Sequence, residues 1–185
     1  RSLGFVLNES ASNLTKALKG DVQMQGAWGE MILESILEKS GLIEDREYEL
    51  QSKKYTDEGR RVRPDAIIYL PGNKAMVIDS KVSLSAYERS VNAQSEEERN
   101  KAEDDHVQSI RSHMQNLSSK EYQNVLEGAS LDFVFMFIAN DHALMGALKH
   151  TPSLFDEAMQ KNIGLVCPSL LMVSLRTVEN IWKTD

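Results

Sequence analysis

The chain has 185 residues, of which 41% are hydrophobic and 26% are charged, as expected for one globular domain with a sizeable core. Its net charge of −7 argues against a broad electrostatic contact with nucleic acid, and no apolar run is long enough to span a membrane. The single cysteine, Cys167, excludes an internal disulfide and fits a reducing compartment. Because the chain begins at Arg1 rather than at Met, we expect it to be a piece of a longer protein.

The sequence of the first third of the chain predicts two helices and a weak strand, followed by a loop. Residues 1–20 are expected to form a helical lead-in, and residues 21–185 one domain. The helix predicted over 22–40 is apolar on most sides, which indicates burial, and Gly41 supplies its C-cap. Residues 42–51 predict a strand, and 51–61 a polar loop.

A β-hairpin follows, with strands over 62–70 and 75–82 and a turn marked by Pro71 and Gly72. If Leu70 pairs with Lys74, the register places Asp65 opposite Asp79. Side chains alternate along a strand, so Lys81 shares the face of Asp79. Like charges opposed across two strands destabilise a sheet, so this arrangement indicates a cation between them.

The rest of the chain alternates helices with two strands. Helices are predicted over 83–92, 95–117, 141–149, 153–161 and from Pro168 onward, and strands over 131–139 and 163–167. Ser95 opens the long helix with a capping box, and Asp141 is the expected N-cap of the next helix. This order predicts an α/β fold with a central mixed sheet flanked by helices.

The hairpin carboxylates are hard oxygen ligands of the kind that Mg²⁺ or Mn²⁺ prefers. Asp65 and Asp79 would supply two ligands, and the backbone carbonyl of Ser80 a third. A metal held there would activate water and offset charge at a phosphate. Lys81 would hold that water or stabilise the developing negative charge.

A third acid, Glu30, lies on the apolar helix, where a glutamate is rarely buried unless it is paired. Gly26 and Gly29 each cost about 1 kcal/mol inside a helix, which makes sense if a backbone or ligand approaches them closely. The alternative is that Glu30 reaches solvent and the glycines mark a kink.

A basic cluster precedes the hairpin and could guide a phosphate backbone toward it, with a solvated loop as the alternative. Its members are Lys53, Lys54, Arg60, Arg61 and Arg63.

Other site types find little support. No glycine-rich phosphate loop is present, so no nucleotide cofactor is expected. His106 and His113 are seven residues apart on the long helix but have no metal-binding pattern, so all four histidines are interpreted as surface residues. Cys167 is interpreted as a small buried residue.

The pattern Pro-Asp…Asp-x-Lys with an upstream helical Glu resembles the PD-(D/E)xK nuclease superfamily. Four segments, in order, resemble the RmuC family of DNA recombination proteins over roughly residues 20–183. They are 26–30 (GAWGE), 77–82 (VIDSKV), 132–138 (DFVFMFI) and 166–171 (VCPSLL).

The resemblance implies a restriction-endonuclease-like core in which Glu30, Asp65 and Asp79 bind Mg²⁺ and Lys81 is catalytic. It also implies a bacterial cytoplasmic protein of DNA recombination and repair that limits rearrangement at inverted repeats. A coiled coil outside this piece would allow a homo-oligomer. Two alternatives remain: a DNA-structure-binding or assembly module that does not cleave, and a purely structural domain with a surface acid cluster.

Overall fold

A computed structural model describes residues 22–51, 63–80, 82–120, 122, 126 and 128–184, and the side chains of residues 22 and 23 are not described. The predicted lead-in helix, the basic residues Lys53, Lys54, Arg60 and Arg61, and Lys81 lie outside these ranges.

The described elements confirm a mixed α/β fold. The helices are α1 (Val22–Glu38), α2 (Ser85–Val91), α3 (Glu96–Ser118), α4 (Asp141–His150), α5 (Leu154–Gln160) and α6 (Pro168–Thr184). The strands are β1 (Tyr48–Leu50), β2 (Ala66–Leu70), β3 (Lys74–Asp79), β4 (Ser130–Phe137) and β5 (Ile163–Val166).

The five strands form one sheet in the order β1-β2-β3-β4-β5, in which β1 to β3 are antiparallel and β3 to β5 are parallel. Both parallel connections run in the same direction across the sheet, and such crossovers are right-handed. Helices α2 to α5 therefore cover one face. Helix α1 packs against α6, which contacts β2 and β5. No helix of the described ranges is long and apolar enough to cross a membrane.

The hairpin register is confirmed from Leu70–Lys74 to Ala66–Ile78, although its strands are shorter than predicted and the expected Asp65–Asp79 pair lies beyond the ladder. Leu70 pairs with Lys74, and the ladder runs to Ala66 opposite Ile78. The Asp65 N–H then donates to the Ile78 carbonyl at 2.9 Å. Asp65 and Asp79 therefore both lie at the end of the hairpin away from the turn.

The predicted helix starts are confirmed in one case and wrong in another. The Ser95 hydroxyl accepts from the Glu98 N–H at 3.1 Å, as a capping box requires. The N-cap of α4 is Asn140, not Asp141, and its side chain accepts from the Ala143 N–H at 3.0 Å. Asp141 instead accepts bonds from the backbone and hydroxyl of Ser169 at the start of α6.

The sheet packs tightly where β4 meets β5. A Cβ atom added to Gly164 would lie only 2.7 Å from Cε2 of Phe133, so a larger residue requires the ring to move. Phe133 and Phe135 meet edge to face with centroids 4.9 Å apart. Nothing in the sequence pattern of the short β5 strand indicated this requirement.

Candidate functional site

Asp79, the last residue of β3, carries a completely buried carboxylate. Its Oδ1 lies 3.0 Å from Nε2 of His113, and its Oδ2 accepts from the Tyr122 hydroxyl at 2.9 Å. The ammonium of Lys120 is 3.8 Å from the same Oδ2. Because a carboxylate only accepts, the His113 ring donates its Nε2–H. One buried charge is thus surrounded by two hydrogen-bond donors and a cation.

These partners all come from the end of α3 and the residues that follow it. His113 precedes the buried Met114 on the side of α3 that faces the sheet, and Lys120 and Tyr122 follow the helix end at Ser118. Burial raises the pKa of Tyr122, and the charges of Asp79 and Asp65 raise it further. The Tyr122 hydroxyl therefore stays protonated and donates to Asp79.

Asp65 reaches the residue that follows Asp79. Its Oδ2 accepts from the Ser80 N–H at 2.7 Å and from the Ser80 hydroxyl at 3.0 Å. The charge of Asp65 also acts on Tyr122, as that of Asp79 does. The two hairpin acids thus lie together at one end of the sheet, and their roles as ligands stay a prediction.

Helix α1 passes close to this end of the sheet. A Cβ atom added to Gly29 would lie 3.6 Å from the Ser80 carbonyl oxygen and 3.7 Å from Cβ of Ala139. The predicted close approach is therefore found at Gly29, beside Glu30. It is not found at Gly26, where, apart from the chain neighbours and the backbone of the same helix, no atom of the described residues lies within 4 Å of the Cβ position.

The donor chemistry fits a divalent cation, with a limit. Mg²⁺ usually binds through one or two protein carboxylates and several waters, which Asp65, Asp79 and the Ser80 carbonyl satisfy by type. Within the described ranges, however, no group of three or more His, Cys, Asp or Glu side chains is arranged to hold a metal ion. The three-carboxylate set that includes Glu30 is therefore not gathered here and stays a prediction.

The surface interpretation of the histidines is wrong at two positions. His106 is only 3% exposed, and its Nε2 lies 2.9 Å from the Ala143 carbonyl. Burial lowers the pKa of His106. His113 is the Asp79 partner. The signal was present in the seven-residue spacing, because it places both rings beside the buried stripe of α3.

Two other sequence predictions have different outcomes. Cys167 is buried as expected, and burial raises the pKa of its thiol to about 12. Of the basic cluster only Arg63 is described, half-buried just before Pro64. Contact between that cluster and DNA remains a prediction.

Comparison with known proteins gives a family. The RmuC family model matches residues 2–185. The chain is 44% identical to the DNA recombination protein RmuC of Escherichia coli K12 over 185 residues, covering 100% of this chain and 39% of that protein. It is 45% identical to the Yersinia pestis homologue over 185 residues, covering 100% of the chain and 39% of the relative.

A Vibrio cholerae homologue is 44% identical over 177 residues, covering 96% of the chain and 34% of the relative. The chain thus spans less than half the length of these curated relatives. No solved structure matches it at a significant level. The match over nearly its whole length shows that the chain belongs to the RmuC family.

Proposed function

We propose that this chain is the nuclease-like domain of a DNA recombination protein and hydrolyses DNA phosphodiester bonds with Mg²⁺ or Mn²⁺. The observation that carries the proposal is the pair of acids, Asp65 and Asp79, at one end of the hairpin, with Asp79 completely buried. A buried carboxylate is costly and is retained where it is paired or binds a cation. The names of the relatives support a role in DNA recombination.

In this proposal each residue has a distinct task. Asp65, Asp79 and the Ser80 carbonyl would hold the ion, and Glu30, which follows the close approach at Gly29, would join them. The ion would lower the pKa of a bound water and offset charge at phosphorus. Lys81 orients the water, and the basic cluster defined above holds the DNA backbone. This activity would limit rearrangement at inverted repeats in the bacterial cytoplasm.

The test is cleavage of labelled linear and forked DNA by the wild type and by Asp65→Asn and Asp79→Asn, with Mg²⁺, Mn²⁺ or a chelator. These isosteric changes remove the negative charge and keep the shape. We expect cleavage only with metal, and at least a hundredfold loss in each variant, the scale of removing one stabilising group. Asp132→Asn, an exposed residue at the start of β4, is the matched control. Equal cleavage by all variants would reject the assignment.

A second function is a DNA-structure-binding or assembly module that does not cut. The observation that favours it is that His113, Tyr122 and Lys120 already surround Asp79. In this case Asp79→Asn leaves DNA binding intact, whereas reversing the charge of Arg60 and Arg61 abolishes it. A cleavage assay run beside a fluorescence-anisotropy titration with forked DNA separates the two functions, because only the nuclease proposal predicts that the wild type cuts and that Asp79→Asn abolishes cleavage.

A further inference from the structure

We propose that Lys120 and a divalent cation compete for the Asp79 carboxylate, and that Lys120, once displaced, contacts a DNA phosphate. This presupposes the proposed function and adds a regulatory role for a residue outside the predicted ligand set. Lys120 would act as a positioning residue that couples the state of the metal site to DNA binding.

The first reason is that His113, Tyr122 and Lys120 are held differently at Asp79. His113 and Tyr122 lie within hydrogen-bonding distance, at 3.0 and 2.9 Å, and Tyr122 is only 1% exposed. The Lys120 ammonium is 3.8 Å from Oδ2, beyond a direct hydrogen bond, and its side chain is 22% exposed. Lys120 is therefore the partner that can leave without unfolding its surroundings.

The second reason is charge. An isolated carboxylate inside a protein is strongly disfavoured, so Asp79 needs positive charge nearby in the absence of metal. Lys120 supplies such a charge. A divalent ion at the Asp79 oxygens would supply more charge at a shorter distance and would repel the ammonium. The two cations therefore oppose each other at one carboxylate.

The third reason is where Lys120 is attached. It lies two residues beyond Ser118, the last residue of α3, and carries its charge on a flexible four-carbon stem. A lysine of this kind binds phosphate as a point charge. Once displaced from Asp79, its ammonium can reach the solvent side of the site, where a phosphate bound near the cation would lie.

The first experiment measures Mn²⁺ binding to the 185-residue chain by calorimetry without DNA. Lys120→Met should bind Mn²⁺ about tenfold more tightly than the wild type, since it loses a like charge near the ion. Lys120→Arg keeps the charge and should match the wild type. Lys101→Met, at the other end of α3, removes the same charge from an exposed position and should also match it. Asp79→Asn should abolish binding.

The second experiment measures affinity for phosphorothioate-linked forked DNA, which resists cleavage, in the presence of Mn²⁺. Lys120→Met should bind this DNA less tightly, and the slope of log affinity against log salt should fall by about 0.9, the value for one phosphate contact. The expected signature is thus tighter metal binding and weaker DNA binding in the same variant. If Lys120 had only a structural role, Lys120→Met would weaken both metal binding and DNA binding.

The possible failures are distinguishable. If the wild type and all Lys120 variants bind no Mn²⁺, the proposed metal-dependent function is wrong. The proposed competition between Lys120 and the cation is then wrong as well. If the wild type binds Mn²⁺ and Lys120→Met binds it equally or less tightly, only the competition is wrong. Thermal unfolding monitored by circular dichroism checks each variant, and Lys120→Gln replaces Lys120→Met if the latter is unfolded.

Discussion

The two ends of α3 use the same kinds of charged residue in opposite surroundings. Near its start, Asp105 pairs with Lys101 at 3.7 Å and Arg89 at 3.2 Å, and His150 contacts Glu103 at 2.8 Å and Asp104 at 2.7 Å. Near its end, His113 contacts Asp79 at 3.0 Å, with side-chain exposures of 13% and 0%. Exposed pairs contribute little to stability, whereas breaking a buried pair is expensive. Burial, more than residue type, therefore distinguishes the end of the helix that contacts the candidate site.

The largest expected effect is that of removing Asp79. Asp79→Ala should destabilise the domain by about 3 kcal/mol, because the Tyr122 hydroxyl and the His113 ring lose their buried acceptor. The matched change at the exposed end, Asp105→Ala, should cost less than about 1 kcal/mol. Urea unfolding of both variants measures the difference. Equal losses would mean that the two ends do not differ as described.

A smaller effect is expected from removing only one donor. Tyr122→Phe should cost about 1 to 2 kcal/mol, because the fully buried Asp79 Oδ2 loses a hydrogen bond. Tyr87→Phe is the control, since the ring of this half-buried tyrosine lies tilted beside that of His106 and its hydroxyl forms no hydrogen bond within the described residues. Its cost should stay within about 0.5 kcal/mol. Chemical unfolding of the two variants side by side tests this, and a neutral Tyr122→Phe would contradict it.

The smallest effect concerns pH at the exposed end. Hydrogen bonding to Asp104 and the charge of Glu103 raise the pKa of His150. A raised pKa stabilises the folded state below the unfolded value of about 6.5, and this stabilisation is lost as pH rises through the folded value. His150→Gln should therefore lower Tm at pH 6 and leave it nearly unchanged at pH 9.

His142→Gln, an exposed position on the same helix, serves as the control and should show no such pH dependence. At pH 6 the free energy of unfolding of His150→Gln should be less than about 1 kcal/mol below that of the wild type, as for other exposed pairs. A larger difference in stability at pH 9 than at pH 6 would contradict a raised pKa of His150.

Local patterns predicted the hairpin but not the surroundings of its acids. The register from Leu70 to Ala66 follows from a short turn and the two-residue period of strands, both of which are read from neighbouring residues. His113 and Tyr122 are 34 and 43 residues from Asp79, so no periodicity joins them. Partners at that distance meet only after the sheet and α3 have packed.

Two other errors have the same origin. His106 and His113 were interpreted as surface residues because their spacing matches no metal-binding pattern. A polar residue on the buried side looks like a surface residue until its acceptor is known. Asp141 and Asn140 are both good N-caps, and Asn140 takes that position while Asp141 bonds to Ser169, a contact that joins two helices.

The wide separation between Asp79 and its partners has a consequence for synthesis of the chain. The hairpin forms from residues close in sequence, and such contacts form early in folding. Because synthesis runs from the N-terminus, Asp65 and Asp79 emerge from the ribosome before His113, Lys120 or Tyr122 has been made. Until then Asp79 lacks the hydrogen-bond donors and the ammonium that surround it in the folded chain. The site is then assembled late, when the end of α3 emerges and β4 pairs with β3.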